Sequence, residues 1–322
     1  MSVFTPVSPE QLEIWLAGYC VGTVRTLTPI AEGVENTNYF LTTTDGQFVL
    51  TLFERLAPDA LPFYLGLMHR LAAHQVGAPA PLSDRHGRLF STLCNKPAAL
   101  VSRLSGHAVE TPTAEHCRAI GDWLAGMHLT LAGQAPAPDN PRGAIWRADS
   151  ATAVRPWLDA DARRLLDASL QKFDGIATWH LPRGIIHADL FRDNALWHDP
   201  GQAVLAGVID FYFAGVDDWL LDLAIVANDW CLAGDGAHLD TARCTALLAA
   251  YHARRPLTDA ERAAWPIQLG RAALRFWLSR LADRHLPRPG NLVKIKDPDE
   301  FRAILAQHLC LGEPEMPAPW IA

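Results

Sequence analysis

One stretch constrains this chain more than any other: Ile185-Ile186-His187-Ala188-Asp189-Leu190-Phe191-Arg192-Asp193-Asn194, completed by Val208-Ile209-Asp210-Phe211. An apolar run delivers a histidine and an aspartate onto a loop, and an asparagine stands five positions beyond Asp189. Ala195 to His198 reads as a short strand and Asp199-Pro200-Gly201 as a turn. Ala203 to Ile209 reads as a second strand ending at Asp210. The order is loop, strand, turn, strand, acid.

Those residue types suit phosphoryl transfer from a nucleotide to a hydroxyl. Asp189 can accept the hydroxyl proton, while the oxygen of Asn194 and the carboxylate of Asp210 hold the Mg²⁺ that neutralises the phosphates of ATP. The protein-kinase catalytic loop spaces its aspartate and asparagine in the same way, with a metal-binding aspartate further along. A surface loop with solvated carboxylates would carry one such triplet by chance. Matched spacing, flanking strands and a second acid together favour the kinase-like reading.

Composition narrows the partners. A length of 322 residues suggests two domains or lobes, and 49% hydrophobic with 20% charged residues marks an ordinary globular chain. The formal charge of −7, without a long basic run, argues against nucleic acid or an anionic membrane as the main partner. The six cysteines include no Cys-x-x-Cys pair, so they read as reduced thiols in a cytoplasmic protein. No signal peptide is visible at the N-terminus. The most apolar window, 220–233, is interrupted by Asp222 and Asp229 and is too short to span a bilayer. The expected partner is a small molecule, and nothing in the sequence sets an oligomeric state.

Ser8-Pro9-Glu10 opens an amphipathic helix to about Tyr19, with Ser8 as its N-cap. Thr23 to Ile30, Tyr39 to Thr43 and Phe48 to Phe53 read as strands, with Asp45-Gly46 as the hairpin turn. Between the first two lies Glu32-Gly33-Val34-Glu35-Asn36-Thr37-Asn38, either a polar turn or a loop over nucleotide phosphates. Pro58-Asp59 starts a helix to about Gln75, with Leu61, Leu65, Met68 and Leu71 on one face. His86-Gly87 reads as a hairpin tip before Leu89 to Leu93, and Ala98 to Leu104 as a strand leaving the first lobe. Thr111-Pro112 caps a helix to about Leu131, on which His128 reads as a packed histidine. A Pro- and Ala-rich loop covers Gln134 to Pro141, and Asp159 to Phe173 is helical. Phe211 to Val216 reads as a loop, Asp217-Asp218 as the cap of an apolar helix containing Asp222, and helices continue to about Cys310. The expected fold is α+β and two-lobed: a strand-rich lobe over 1–104 and a mostly helical lobe over 105–322, with a small inserted hairpin.

The phrases Glu32–Tyr39, Phe48–Glu54, His187–Asn194, Ile209–Ala214 and Ala272–Arg280 resemble the bacterial homoserine kinases of the aminoglycoside phosphotransferase and choline kinase-like superfamily. The resemblance covers nearly the whole chain. It implies a protein-kinase-like fold, ATP with Mg²⁺ as cofactors, and L-homoserine as the substrate, phosphorylated on the route to threonine. By it, Asp189 is the base, Asn194 and Asp210 are the metal ligands, and His187 braces the loop. ATP would meet Gly33, Asn36, Thr37 and Asn38 of the phosphate loop, and Leu100 and Val101 of the hinge strand. Thr51 stands where kinases carry a phosphate-binding lysine, and no lysine precedes Lys96. Mg²⁺, loop N–H groups and Arg55 are then the candidates to neutralise phosphate charge. Asp222 either orients the catalytic loop as a buried acid or sits solvated on its helix. Arg271 and Arg275 are candidates for the cation that holds the substrate carboxylate, or else surface arginines bridging to Asp283 or Glu261. Two other classes stay open: a hydrolase with His187, Asp189, Asp193 and His198 around a metal, and a non-catalytic nucleotide-binding module.

Overall fold

Period-two alternation builds the first sheet. The computed structural model describes residues 4–30, 36–174, 180–286 and 296–310. The chain divides into two compact units, the first spanning Met1–Ser105 and the second beginning at Gly106. In the first, β1 (Val24–Pro29), β2 (Thr37–Thr43), β3 (Gln47–Leu52), β4 (Ser91–Leu93) and β5 (Lys96–Ser102) form one antiparallel sheet in the order β1-β2-β3-β5-β4. One face, with Tyr39, Leu41, Leu50, Leu52, Ala98 and Leu100, packs with Leu12, Trp15, Leu16 and Tyr19 from and just beyond α1 (Pro9–Leu16). Each leucine so buried stabilises the unit by about 2 kcal/mol. The opposite face, by register, carries Asn38 and Phe40, Val49 and Thr51, and Ala99 and Val101.

Local chemistry explains the ends of these elements. Ser8 and Gln11 form a reciprocal capping box with Pro9 in the first turn, as the sequence predicts. Asp45-Gly46 lies in the β2–β3 hairpin, closed by the Thr43 N–H donating to the Gly46 carbonyl at 2.9 Å. The helix expected from Pro58-Asp59 starts later, as α2 (Leu61–Ala73), capped by Ala60 without a side-chain bond. Its predicted face of Leu61, Leu65, Met68 and Leu71 is buried. His86-Gly87 is a tight turn held by Asp84 and not a β-hairpin tip. The hairpin in this region turns at Cys94-Asn95, whose φ values of 51° and 60° match the left-handed pair that a two-residue turn requires.

The second unit is mostly helical: α3 (Ala114–Leu131), α4 (Ala144–Val154), α5 (Ala160–Ser169), α6 (Trp219–Trp230), α7 (Thr241–Arg254), α8 (Asp259–His285) and α9 (Pro298–Cys310). Thr113, not Thr111, caps α3, in a box with His116. The helix α4 escapes sequence reading because Ala, Ser, Thr and Asp dominate it and Gly143 gives no side-chain cap. Two antiparallel ribbons carry the site: β6 (Arg183–Ile186) with β9 (Gly215–Asp218), and β7 (Ala195–Asp199) with β8 (Val204–Val208). The second is the expected inserted hairpin. In the first, Gly215 and Val216, which read as the end of a loop, and Asp217 and Asp218, which read as a helix cap, pair instead with β6. Asp218 precedes α6 yet makes no capping bond; its carboxylate accepts from Gln268 Nε2 at 2.9 Å.

Candidate active site

The strand β6 ends at Ile186, and the chain from His187 to Asn194 is then held almost atom by atom. The His187 and Ala188 N–H groups donate to the two carboxylate oxygens of Asp222, at 2.7 and 2.9 Å. The Asp189 N–H donates to His187 Nδ1 at 3.2 Å, and Nε2 of the same ring meets the Ile209 carbonyl at 3.1 Å. That pattern assigns a neutral ring with its proton on Nε2. Burial pushes its pKa down, which preserves this state. On the other side of Ile209, its N–H donates to the Asn194 carbonyl at 2.9 Å. His187 and Asn194 therefore clamp the peptide that precedes Asp210.

Two non-glycine residues of the site occupy the left-handed region: Ala188 at φ 64° and Asp210 at φ 65°. Each conformation costs on the order of 1 kcal/mol or more, and it persists only where the surroundings over-determine it. Here they do, through the Asp222 carboxylate at Ala188 and the double clamp on Ile209 beside Asp210.

Asp222, on α6, is fully buried, so it is not a solvated helix acid. It also accepts from His128 Nε2 at 3.1 Å, while His128 Nδ1 lies 2.8 Å from the Tyr251 hydroxyl, which donates to it. The His128 ring stacks on Trp219 at 5.4 Å. Burial alone would raise the Asp222 pKa, but the hydrogen bond from His128, with those from the His187 backbone, holds it below the usual carboxylate range. His128 is packed, as its helical position suggests, and it is also the third donor to the acid beneath the 187–194 loop. Further along, Arg192 N–H and Nε donate to Asp229 Oδ2 at 2.7 and 3.2 Å, and the Trp230 indole donates to the Leu190 carbonyl at 3.2 Å. Asp229 and Trp230 gave no sequence signal, because their partners lie some forty residues away.

Asn194 Nδ2 donates to the Asp189 carbonyl at 2.8 Å, which leaves its Oδ1 as a hard oxygen donor. An amide oxygen and a carboxylate suit Mg²⁺ together with phosphate oxygens. Arg275, on α8, brings Nη1 to 3.5 Å from Asp189 Oδ1. Burial lowers the Arg275 pKa to about 10, with Asp189 opposing that shift and Arg142 adding to it. It stays charged at neutral pH. Arg271 serves differently: its Nε donates to the Phe173 carbonyl at 3.1 Å, and its Nη1 lies 3.6 Å from Asp218. It braces α8, and Glu261 pairs with Arg255 at 2.5 Å, not with either of these arginines. The hydrolase arrangement finds no support, since no group of three or more His, Cys, Asp or Glu residues placed to hold a metal occurs among the described residues. Asp193 instead pairs with Lys296 at 2.8 Å.

In the first unit, the expected nucleotide residues separate by face. Gly33 lies outside the described residues. Asn38, Thr51 and Val101 share the face opposite the core, where Thr51 Oγ1 donates to Asn38 Oδ1 at 2.8 Å. Asn36 is buried just before β2. Thr37 is fully buried and its hydroxyl donates to Glu54 at 2.8 Å, so it anchors the strand and is not exposed to a ligand. Leu100 points into the core, and its carbonyl already accepts from the Leu82 N–H at 2.8 Å. Its side chain is not open to adenine. Lys96 pairs with Glu54 at 3.2 Å.

The chain is similar to several known proteins. The profile of the Phosphotransferase enzyme family matches residues 26–257. A homoserine kinase of Methylobacillus flagellatus is 48% identical over 321 residues, covering 100% of this chain and 99% of its own. A homoserine kinase of Ralstonia pickettii is 46% identical, covering 97% of each. Among solved structures, an amicoumacin kinase in complex with AMP-PNP, Ca²⁺ and Ami superposes with a TM-score of 0.68 at 17% identity, covering 94% of this chain and 92% of that one.

Proposed function

The chain belongs to the phosphotransferase enzyme family, among its homoserine kinases, and from that membership we propose that it transfers the γ-phosphoryl group of ATP to the hydroxyl of L-homoserine. The product is O-phospho-L-homoserine, on the route to threonine. The observation that carries the reading is full-length identity to homoserine kinases combined with a rigidly held Asp189. The homoserine oxygen attacks the γ-phosphorus, the bond to the β–γ bridging oxygen breaks, ADP leaves, and the hydroxyl proton passes to the Asp189 carboxylate.

Asn194 and Asp210 are the residues to hold Mg²⁺, which when bound neutralises phosphate charge. Asn38, Thr51 and Val101 offer the nucleotide face. Arg275 supplies a cation beside the base for the carboxylate of the acceptor. His187 and Asp222 set the loop. We place the enzyme in the cytoplasm, consistent with six free cysteines; no described helix is long and apolar enough to cross a membrane.

The test is ATP consumption by the purified protein against homoserine, serine, threonine, choline, hydroxylysine and an aminoglycoside. Homoserine is expected to give the highest kcat/KM. A different preferred hydroxylated amine would move the assignment within the family. ATP·Mg binding without turnover on any acceptor would make the chain a non-catalytic module.

A further inference from the structure

The C-terminal helix α9 carries none of the residues assigned to the reaction, yet it packs against the neighbours of two of them. Its Phe301 is buried, with its ring 5.1 Å from that of Phe276, tilted by 29°, and 6.0 Å from that of Phe191. Phe191 and Phe276 meet edge to face at 4.5 Å. Aromatic pairs attract at centroid separations of about 4.5–7 Å, so each ring holds the other two. Phe276 follows Arg275 in α8. Phe191 stands two residues beyond Asp189, and its N–H donates to the Asp189 carbonyl at 2.8 Å. One aromatic cluster therefore joins the backbone on both sides of the Asp189–Arg275 pair.

The cluster also sets the Arg275 side chain. Its guanidinium carbon lies over the Phe276 ring, 3.7 Å from the centre, while Nη1 reaches Asp189 Oδ1 at 3.5 Å. A planar guanidinium stacked on a ring takes its direction from that ring. Phe276 in turn is held by Phe301 and Phe191. A tilt of Phe276 thus moves Arg275 against Asp189.

The helix that supplies Phe301 belongs to the second unit and is firmly fastened there. Arg280 Nη1, on α8, donates to the Asp297 carbonyl at 2.7 Å and to Glu300 Oε2 at 2.5 Å. The Arg280 guanidinium also covers the Phe301 ring at 4.6 Å. At the far end, His308 Nε2 meets Asn228 Oδ1 of α6 at 2.8 Å, and Asn228 Nδ2 donates to the Leu269 carbonyl at 2.9 Å. The Lys296–Asp193 pair is a further tie to the 187–194 loop, but both side chains are more than half exposed, so it contributes little. The link runs through the buried rings.

We propose that Phe301 is a positioning residue for phosphoryl transfer: acting chiefly through Phe276, it sets Arg275 against Asp189, so that the C-terminal helix governs use of the acceptor without touching it. The inference rests on the homoserine reading and goes beyond it. The expected nucleotide residues Asn38, Thr51 and Val101 belong to the first unit, and none of the cluster does. Loss of Phe301 therefore acts on the acceptor and on turnover, and spares ATP binding.

The experiment measures kcat and KM for homoserine and for ATP in wild type, Phe301→Ala, Phe301→Leu and Leu305→Ala, well below the melting midpoint of each. Leu305 is fully buried on the same helix, so its truncation reports lost packing alone. Phe301→Ala should lower kcat/KM for homoserine by about 10-fold, the size expected from losing two aromatic contacts, with KM for ATP close to wild type. Phe301→Leu, which refills much of the volume, should recover part of that loss. Leu305→Ala should lower the melting midpoint as far, yet leave kcat/KM for homoserine near the wild-type value. The independent arm is a double-mutant cycle on kcat/KM: in a Phe276→Leu background, Phe301→Leu should have much less further effect, because its path to Arg275 is already cut. That cycle decides the matter even where Phe301→Ala does not fold. Fully additive losses in it overturn the proposal. So does an unchanged kcat/KM in Phe301→Ala, a parallel loss of ATP binding, or a loss in Leu305→Ala as large as that in Phe301→Ala. A wild type inactive on homoserine but active on another acceptor overturns the homoserine reading instead, and the same variants are then compared on that acceptor.

Discussion

Around Asp189, three donors converge on one buried carboxylate, a neutral histidine joins two loops, and two strained residues are held in place by their neighbours. Around Thr51, one hydroxyl-to-amide bond ties two strands of a sheet whose other face carries the core. The first region is set by long-range buried hydrogen bonds, the second by local strand pairing. The contrast follows what each must do. On the proposed roles, a base must sit within a few tenths of an ångström of a reacting hydroxyl, whereas a flexible triphosphate could be met by a more forgiving surface. Kinases that grip phosphate with a lysine and a helix glutamate add a second rigid point. This chain has Thr51 instead, and its nearest lysine–glutamate pair joins Lys96 to Glu54.

The sharpest way to separate the two regions is Asp189→Asn. It removes the proposed proton acceptor but keeps the shape of the side chain. Turnover should fall by about 10³-fold or more, while ATP·Mg binding measured by titration stays within a few-fold of wild type. Near-normal turnover would mean that the loop around 187–194 is scaffolding and that the chemistry lies elsewhere.

Asp222→Asn probes the support beneath the same loop. An asparagine offers one acceptor oxygen where the carboxylate meets the N–H groups of His187 and Ala188, and its NH₂ would confront a donor. Breaking this buried arrangement should destabilise the second unit by about 3 kcal/mol and lower kcat without raising KM for ATP in proportion. A stable, fully active variant would show that backbone strain at Ala188 is held by something other than this acid.

The legibility of the two regions differs for the same physical reasons. The loop that carries Asp189 and Asn194, and the strand pair that leads to Asp210, could be read because apolar runs and the Asp199-Pro200-Gly201 turn mark them along the chain. The β2–β3 hairpin could be read because Asp45-Gly46 suits its turn. By contrast, Cys94-Asn95 turns β4 into β5 with a cysteine in a left-handed conformation, which composition does not announce. Thr37 and Leu100 were expected at the nucleotide, yet strand register turns both inward, and a one-residue shift is enough to do so. Arg271 and Arg275 look alike in sequence, four apart on one helix. Only packing separates them, one against the Phe173 carbonyl and the other against Asp189.

Thr51→Val is the smallest change and the most direct test of the looser region. Valine is nearly isosteric with threonine, so β3 and its register with β2 and β5 should survive. What disappears is the hydroxyl that donates to Asn38 Oδ1, leaving that amide to water or to the nucleotide. A neutral hydrogen bond of this kind contributes about 1 kcal/mol, so KM for ATP should rise by roughly 5-fold. KM for homoserine and the kcat at saturating ATP should hardly move. The effect should also grow when Mg²⁺ is lowered, because without a phosphate-binding lysine the metal carries more of the charge neutralisation. A loss near that of Asp189→Asn would erase the distinction between the regions, since it would make Thr51 as finely placed as Asp189. A KM for ATP unchanged at every Mg²⁺ concentration would move the nucleotide away from this face of the sheet altogether.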